Sequence, residues 1–520
     1  MLMDDLQKKE ILVLILCLVV GFALRFYTFD RKSLWTDEIY TFNESRYGLQ
    51  DQFTHYKENP TYLQPPVFYL LTHLFYPFTK PERDLRIIPL IFGTLSIPMI
   101  YLLSRLFSPA VGLPCTLSLT FMAYHISLSQ DGRSYSLLLF LGMAGLYFLI
   151  KHVKTSRKRY LIPAAISFAL SFYTNYAFTP FIALFQLFWF YRTDEEGKKP
   201  VFKSILFFNG LLLLFCFSWV LFAALSYTGQ SFIDPLRKDG GLDSVWKIVY
   251  NTFRDWTPNV PVTILSILLL FLLPLFSKIK RNAFILLGTF VISTGGSYLF
   301  FKLFNITHYI TSRYLLNLLP LFLISIYMSL HNVELRFERY KRYLRFGLFF
   351  IVLFIASNLV ILPFYYRAEK QDFRGLVEYL KNHLKEGDKI FDGDRTYTPG
   401  ILHYFGIYPE GRHHVVHFKK TQEKMIELKK SFLFRDHIVT IYSSSICCSQ
   451  YTEDGSRLWV VVGKEGAKEV QRNLPCSLKG YFDGSFLNFK RFPTDASMYL
   501  FLLDPKSPDE RGIDIHSTDE

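Results

Sequence analysis

The chain has 520 residues, of which 50% are hydrophobic, 18% aromatic and 20% charged, and Phe (53) and Tyr (33) are unusually frequent. A soluble domain of this length is rarely so apolar, so the composition excludes an ordinary soluble enzyme. The net charge of +14 would suit a nucleic-acid-binding protein, but the positive residues concentrate in short loops between apolar runs, which excludes that class as well.

Eleven apolar runs predict membrane-spanning helices, because about 20 residues cross the hydrocarbon layer. They cover residues 11–27, 87–107, 109–127, 135–150, 160–174, 177–191, 204–226, 260–277, 283–301, 314–331 and 346–364. The fifth and sixth runs are short and are joined only by Asn175 and Tyr176. The first run has the length of a signal-peptide core, but no small-residue cleavage site follows it, so we expect a retained span.

Positive charge sets the predicted orientation. If residues 1–10 lie inside, the short inside loops contain 18 Lys and Arg among 43 residues; these loops are 105–108, 151–159, 192–203, 278–281 and 332–345. The short outside loops contain only Arg133, Lys302 and Arg313. Since positive loops stay on the cytoplasmic side, we expect a multi-pass protein of the plasma (inner) membrane with a cytoplasmic N-terminus. Loop 29–86, loop 227–259 and the tail from residue 365 then lie outside.

The sequence predicts three parts. A membrane body covers 1–366 and includes the outer loop 29–86, where "PPVFYLLTHLFYPF" (65–78) predicts an amphipathic interfacial helix that is too short to span. A small outer α/β domain covers 367–505: a helix that ends at Gly387 precedes the β-rich runs "HHVVHF", "HIVTIYS", "RLWVVVG" and "SMYLFLL", and a helical pattern lies near 464–474. The polar residues 506–520 are predicted to be disordered.

Charged residues on the predicted outer face are the candidates for chemistry, because charge near a membrane body is costly and tends to serve function. Asp37 and Glu38, in "LWTDE", are candidate catalytic carboxylates, although a helix start capped by Thr36 would also explain them. Asp131 and Arg133, in "SQDGRSYS", offer a second acid and a cation, and the alternative is a tight turn at Asp-Gly.

Two further motifs lie on the same predicted face. Arg313, in "ITSRYLLNLLP", has a fork of donors that suits a lipid phosphate, whereas snorkelling to the interface is the alternative. Gln64 and Tyr69, in "YLQPPVFY", either line a pocket or pack beside the interfacial helix. The aromatic residues that we predict to line the substrate pocket are Trp35, Tyr69, Tyr135 and Tyr314.

The six cysteines do not indicate a metal site, because no His lies at ligand spacing beside them. Cys17, Cys115 and Cys216 fall in predicted spans and serve as small apolar residues. In the tail, one of Cys447 and Cys448 could pair with Cys476 on an oxidising side of the membrane.

Taken in order, these motifs resemble the membrane-embedded glycosyltransferases of the C-type fold. The motifs are "LWTDE", "QPPVFYLL", "RIIPLIFGTLSIPMIYLLSRLF", "QDGRSYSL" and "SRYLLNLLP", and the resemblance covers about residues 11–325. It is strongest to the protein O-mannosyltransferase-like and lipid A aminoarabinose transferase-like enzymes. The expected fold is therefore a polytopic α-helical membrane protein with about 11 transmembrane helices, a large first outer loop and a small C-terminal α/β outer domain.

The resemblance implies an inverting transfer of a sugar from a polyprenyl-phosphate-linked donor to a hydroxyl of a glycolipid, lipopolysaccharide or protein. Asp37 matches the catalytic aspartate of the family and Asp131 its second acid, while Arg133 and Arg313 fall near its phosphate-binding arginines. In aminoarabinose transferases a Glu-Lys pair tied to metal and phosphate precedes the two prolines. Here Leu63 and Gln64 stand in that place, so we do not expect that metal site, and we predict no essential metal and no certain cofactor. Gln64 is assigned to the donor phosphate.

Two other functions explain part of the pattern. A flippase or transporter for lipid-linked sugars would have the same spans, but such proteins place charges near the midplane and show repeated halves, and neither is present in this sequence. An oligosaccharide polymerase or ligase would share the lipid-linked donor and differ in its acceptor. In each case the partners are the lipid bilayer and a lipid-linked sugar, not nucleic acid.

Overall fold

The computed structural model describes residues 2–58, 64–191, 202–226, 244–257, 259–303, 311–337, 346–394, 396–408, 428–443, 452, 454–484 and 496–506. The chain forms two compact units. The body unit contains Met1–Phe29 and Tyr47–Tyr365, and the C-terminal unit contains Asp30–Arg46 and Tyr366–Glu520. The stretch 30–46, which the sequence analysis placed with the membrane body, is thus grouped with the C-terminal residues.

Most of the described residues lie in α-helices, and short 3-10 segments join some of them. In chain order the helices are α1 (Leu2–Phe26), α2 (Thr36–Ser45), α3 (Leu49–Glu58), α4 (Val67–His73), α5 (Pro81–Asp84), α6 (Ile87–Phe107), α7 (Gly112–Phe121), α8 (Ala123–Ser129), α9 (Tyr135–Thr155), α10 (Leu161–Thr174), α11 (Thr179–Leu184), α12 (Phe202–Ser226), α13 (Val245–Trp256), α14 (Val260–Phe276), α15 (Lys280–Leu303), α16 (Leu319–Arg336), α17 (Phe346–Arg367), α18 (Phe373–His383), α19 (Thr398–Phe405) and α20 (Lys464–Asn473).

Within the described ranges, six helices are long and apolar enough to cross a membrane, or up to eight if each of two bent helix pairs forms one span. The six are Pro81–Phe107, Tyr135–Thr155, Phe202–Leu225, Lys280–Leu299, Leu316–Arg336 and Phe346–Arg367. They indicate an integral membrane protein, but the predicted number of eleven spans is not confirmed. The predicted spans 160–174 and 177–191 correspond to the 14-residue helix α10 and to a series of short helical segments.

The predicted span 109–127 is broken into α7 and α8, which meet at an angle of 62°. The break leaves the last carbonyls of α7 without helical partners, and the buried guanidinium of Arg25 donates to the carbonyls of Leu119 (2.9 Å) and Thr120 (3.2 Å). On the other side of the break, the backbone N–H of Ala123 donates to Asn358 Oδ1 on α17 (2.8 Å). Side chains from two other helices therefore satisfy the broken backbone, as burial in an apolar body requires.

Two stretches of the body differ from the sequence prediction. The interfacial helix predicted over 65–78 is shorter, because α4 begins after Pro66 and ends at His73. Helix α13 was missed within the predicted loop 227–259; one face of it is buried around Ile248 and Phe253, while Trp246 on the other face is 68% exposed.

The C-terminal unit contains a six-stranded mixed sheet. Its strands are β1 (Lys389–Asp392), β2 (Leu428–Phe434), β3 (His437–Ser443), β4 (Leu458–Val462), β5 (Ser477–Phe482) and β6 (Met498–Leu503), in the order β2-β3-β1-β4-β6-β5. Strand β1 is parallel to β3 and β4, and the other neighbouring pairs are antiparallel. The apolar core on one side of the sheet contains Phe391, Val460 and Phe501, and Ala467 of α20 packs against it.

The structure confirms much of the predicted α/β pattern. The runs "HIVTIYS", "RLWVVVG" and "SMYLFLL" contain β3, β4 and β6, and the helical pattern near 464–474 is α20. Helix α18 ends at His383, earlier than predicted, and Gly387 follows in a turn with φ of 80°. The run "HHVVHF", the residues Cys447 and Cys448, and residues 507–520 lie outside the described residues.

A buried carboxylate lies where β1 ends. The Oδ2 atom of Asp392 accepts hydrogen bonds from the backbone N–H of Tyr397 (3.0 Å) and from the N–H and hydroxyl of Thr398 (both 2.7 Å), at the start of α19. Burial raises the pKa of Asp392 to about 6, although these hydrogen bonds oppose the shift. Asp392 therefore fixes α19 to the centre of the sheet.

Candidate functional site

The "LWTDE" motif forms the start of α2 in the C-terminal unit. Trp35 is the N-cap residue, and Asp37 and Glu38 lie in the first turn, so the helix start considered in the sequence analysis is present. Thr36 is the first helical residue and not the cap. Asp37 is half-buried, whereas Glu38 is fully buried and its carboxylate accepts the backbone N–H of Trp35 (3.4 Å). Of the two acids, Asp37 is therefore the more accessible one.

Trp35 itself is a structural anchor of this segment. Its side chain is only 3% exposed, and the ammonium group of Lys370 lies 5.3 Å from the centre of its ring, also within the C-terminal unit. A cation over an indole ring gains electrostatic energy, more so when both groups are buried. Lining of the substrate pocket by Trp35 stays a prediction.

The "SQDGRSYS" motif links α8 to α9 in the body unit. The N–H of Arg133 bonds to the carbonyl of Asp131 (2.6 Å), so the tight turn at Asp-Gly is present. Asp131 is 3% exposed and Arg133 is half-buried. Gln130 holds the turn, because its Nε2 donates to the carbonyls of Arg25 (2.9 Å) and Tyr27 (2.6 Å) at the end of α1.

Arg313 and Tyr135, which come from two separate motifs, meet in the body unit. The guanidinium carbon of Arg313 lies 5.3 Å from the centre of the Tyr135 ring. Tyr135 is the first residue of α9 and is buried, and Arg313 is half-buried. The aromatic face limits the orientations of the planar guanidinium, which is a useful property for a group that binds an anion. The neighbouring Tyr314 is 37% exposed.

A buried hydrogen-bonded chain lies next to Arg313 in the sequence. The hydroxyl of Ser312 donates to Asp255 Oδ2 (2.5 Å), so the Tyr124 hydroxyl, 2.9 Å from Ser312 Oγ, must donate to Ser312. All three residues are less than 10% exposed. The chain joins α8, α13 and the segment that carries Arg313, and the sequence analysis did not identify any of its members.

The remaining predicted residues lie in the segment around α4. Gln64 is exposed, and residues 59–63 before it lie outside the described residues. Tyr69 is 7% exposed and packs with Phe68, Ile88, Leu137 and Leu141, so core packing explains Tyr69. Its place in a substrate pocket, like that of Tyr314, stays a prediction.

No group of three or more His, Cys, Asp and Glu side chains in the described part of the chain is placed to hold a metal ion. The resemblance ties a metal to a Glu-Lys pair before the prolines. The residue described at that place is Gln64, whose neutral amide is a weaker ligand for a hard cation than a carboxylate. The residues present do not fit that metal site.

The comparisons with known proteins agree with this architecture. Residues 63–222 match the family model described as dolichyl-phosphate-mannose-protein mannosyltransferase. Two crystal structures of ArnT from Cupriavidus metallidurans, one in the apo state and one bound to undecaprenyl phosphate, resemble the chain with TM-scores of 0.53 and 11% sequence identity. They cover 96% and 95% of this chain and 98% of the ArnT chain. No curated protein sequence matches the chain.

The structural likeness spans nearly the whole chain, so the chain has the ArnT fold. The predicted resemblance to the C-type glycosyltransferases is confirmed at the level of the fold.

Proposed function

We propose that the protein is an inverting glycosyltransferase that moves a sugar from a polyprenyl-phosphate donor to an acceptor hydroxyl on the predicted outer side of the membrane. The observation that carries the proposal is that both comparisons lead to the same kind of lipid. The matching family is named for a dolichyl-phosphate sugar, and one of the ArnT structures holds undecaprenyl phosphate. The spanning helices provide the apolar surroundings that such a lipid tail needs.

Asp37 is the proposed general base. As the acceptor oxygen attacks the anomeric carbon, its O–H becomes acidic and the Asp37 carboxylate takes the proton, which contributes about 10²–10⁴-fold. The bond from the anomeric carbon to the phosphate oxygen breaks in the same displacement, and its electron pair leaves with the polyprenyl phosphate. One in-line displacement inverts the configuration, so no covalent carboxylate intermediate is required. Asp131 is the proposed second acid.

The leaving phosphate gains negative charge as the bond breaks, and Arg313 is the residue best suited to stabilise it. Its guanidinium is oriented by Tyr135, and a preorganised donor aimed at developing charge contributes a few kcal/mol, on the order of 10²–10³ in rate. Arg133 and Gln64 are further proposed donors to the phosphate. Lysine in place of Arg313 should restore only part of this effect, because it lacks the bidentate fork.

Asp37→Asn tests the proposal. Mass spectrometry of envelope glycolipids and surface glycoproteins, from cells with and without the chain, identifies the transferred sugar and its acceptor. We expect the variant to reduce transfer by about 10²-fold or more while the protein remains in the membrane. A matched control is Asp51→Asn, because Asp51 is an exposed acid in the first turn of α3. Full transfer by Asp37→Asn would exclude Asp37 as the base.

A further inference from the structure

The backbone just before Asp37 is held by an unbroken row of side-chain acceptors. Each N–H of residues 33–36 donates to a side chain, and three of the four acceptors come from the C-terminal part of the chain. The pairs are Ser33 with Glu369 Oε2 (3.0 Å), Leu34 with the Tyr404 hydroxyl (2.7 Å), Trp35 with Glu38 Oε2 (3.4 Å) and Thr36 with Gln371 Oε1 (2.9 Å). Amides before a helix have no helical partner, so these contacts fix the start of α2.

Gln371 makes the contact nearest to Asp37. Its Oε1 accepts both the N–H and the hydroxyl of Thr36, each at 2.9 Å, and Gln371 is only 6% exposed. Thr36 and Asp37 are consecutive residues of the first turn. A shift of Thr36 therefore changes the direction in which the Asp37 carboxylate points.

The segment that carries Gln371 is itself attached to the sheet. Asp483, directly after β5, accepts the N–H of Glu369 on Oδ2 (3.0 Å) and the N–H of Asp372 on its carbonyl (2.9 Å). Asp372 then caps α18 by accepting the N–H of Gly375 (2.8 Å). Gln371 is thus held between a strand end and a helix cap, which leaves little freedom for its backbone.

Helix α19 provides a second anchor. Besides the bond to Leu34, the Tyr404 hydroxyl also accepts the hydroxyl of Ser33 (3.2 Å). At the other end of α2, the Phe42 ring meets His403 edge to face, with 4.6 Å between the ring centres. Both ends of α2 are therefore fixed to one helix of the C-terminal unit.

We propose that the C-terminal unit is the scaffold of the catalytic segment, with Gln371 and Tyr404 as positioning residues for Asp37. This inference rests on the proposed function, in which Asp37 is the base. A misplacement of about 1 Å in a reacting group can cost about 10²-fold in rate. The hydrogen bonds to residues 33–36 are the contacts that limit such a displacement.

Gln371→Leu and Gln371→Glu form a matched pair of variants. Leucine is similar in size but cannot accept the bonds from Thr36, whereas glutamate retains an acceptor oxygen at the same position. Tyr404→Phe removes the second acceptor and tests the same anchor if Gln371→Leu does not accumulate. The control is Tyr481→Phe, because the Tyr481 hydroxyl bonds to Ser497 (2.9 Å), between β5 and the start of β6.

The experiment uses the full chain and three measurements. Hydrogen–deuterium exchange of residues 30–46 reports the backbone, envelope mass spectrometry reports sugar transfer, and titration with undecaprenyl phosphate reports binding of the lipid phosphate. We expect Gln371→Leu and Tyr404→Phe to accelerate exchange, to reduce transfer about tenfold or more, and to leave the Kd for undecaprenyl phosphate within about twofold. Gln371→Glu and Tyr481→Phe should remain close to wild type.

The outcomes separate this inference from the proposed function. Unchanged exchange or unchanged transfer in Gln371→Leu would overturn the inference alone, and so would an equal loss in Gln371→Glu. If sugar transfer survives in Asp37→Asn, Asp37 is not the catalytic base, and Gln371 and Tyr404 then do not position a catalytic group. If cells with and without the chain have the same envelope sugars, the proposed function fails, and the exchange data still decide whether Gln371 holds the segment.

Discussion

Ser312→Ala is the sharpest probe of the buried chain beside Arg313. The substitution removes one hydroxyl, which donates to Asp255 at 2.5 Å and accepts from Tyr124 at 2.9 Å. Asp255 loses a short, charge-assisted bond, and the Tyr124 hydroxyl loses the acceptor on Ser312. Because Ser312 directly precedes Arg313, we expect the guanidinium to lose its fixed orientation over Tyr135 as well.

The size of the effect follows from the kinds of bond that are lost. A hydrogen bond to a charged group contributes about 1.5–3 kcal/mol, and a neutral one about 1 kcal/mol. Loss of both bonds gives a destabilisation of about 2.5–4 kcal/mol. As a separate effect, weaker orientation of Arg313 should reduce the affinity for undecaprenyl phosphate by about tenfold, which corresponds to about 1.4 kcal/mol of binding free energy.

The body provides a matched control for the assay. Ser118 and Tyr327 form another buried serine–tyrosine hydrogen bond (2.5 Å), on α7 and α16. Thermal unfolding and undecaprenyl phosphate titration, both on purified full-length protein, should show a lower midpoint and weaker binding for Ser312→Ala than for Ser118→Ala. Equal midpoints together with wild-type affinity in Ser312→Ala would refute the reasoning.

Two other predictions concern the supports of each unit. Arg25→Met keeps an unbranched apolar stem but removes the guanidinium donors to the α7 carbonyls. We expect the free energy of unfolding to fall by about 3 kcal/mol or more, and an unchanged thermal midpoint would contradict this. Burial raises the pKa of Asp392 from 3.8 to about 6, so the folded state binds more protons than the unfolded state between about pH 4 and pH 6. The C-terminal unit should therefore be more stable at pH 5 than at pH 7, as measured by hydrogen–deuterium exchange of the β1 amides. Asp392→Asn keeps an acceptor for Thr398 and should reduce this dependence of stability on pH. A variant with the wild-type slope would assign the dependence to another group.

The sequence predicted those features that local patterns determine. Strands β3, β4 and β6 are apolar runs with clear ends, and they are present where expected. Arg313 was selected as a charged residue on the predicted outer face, and Tyr135 was selected from another motif as an aromatic pocket residue. The fold brings the two side chains together.

The features that were missed depend on contacts between distant residues. Hydropathy does not detect a change of helix direction, so the break between α7 and α8, which Arg25 and Asn358 stabilise, was predicted as one span. Helix α13 is amphipathic and carries charges, so it did not stand out as an apolar run. The contact of Thr36 with Gln371 joins positions 335 residues apart, and no local pattern indicates it.

The assignment of residues 30–46 to the C-terminal unit has a consequence for biosynthesis. The ribosome makes this segment more than 300 residues before its acceptors Glu369, Gln371 and Tyr404. The nascent protein therefore inserts its spans while the segment around Asp37 still lacks these hydrogen-bond acceptors. The segment can form its hydrogen bonds only after the C-terminal residues have been made. A chain that stops before residue 369 would reach the membrane without all three of these acceptors.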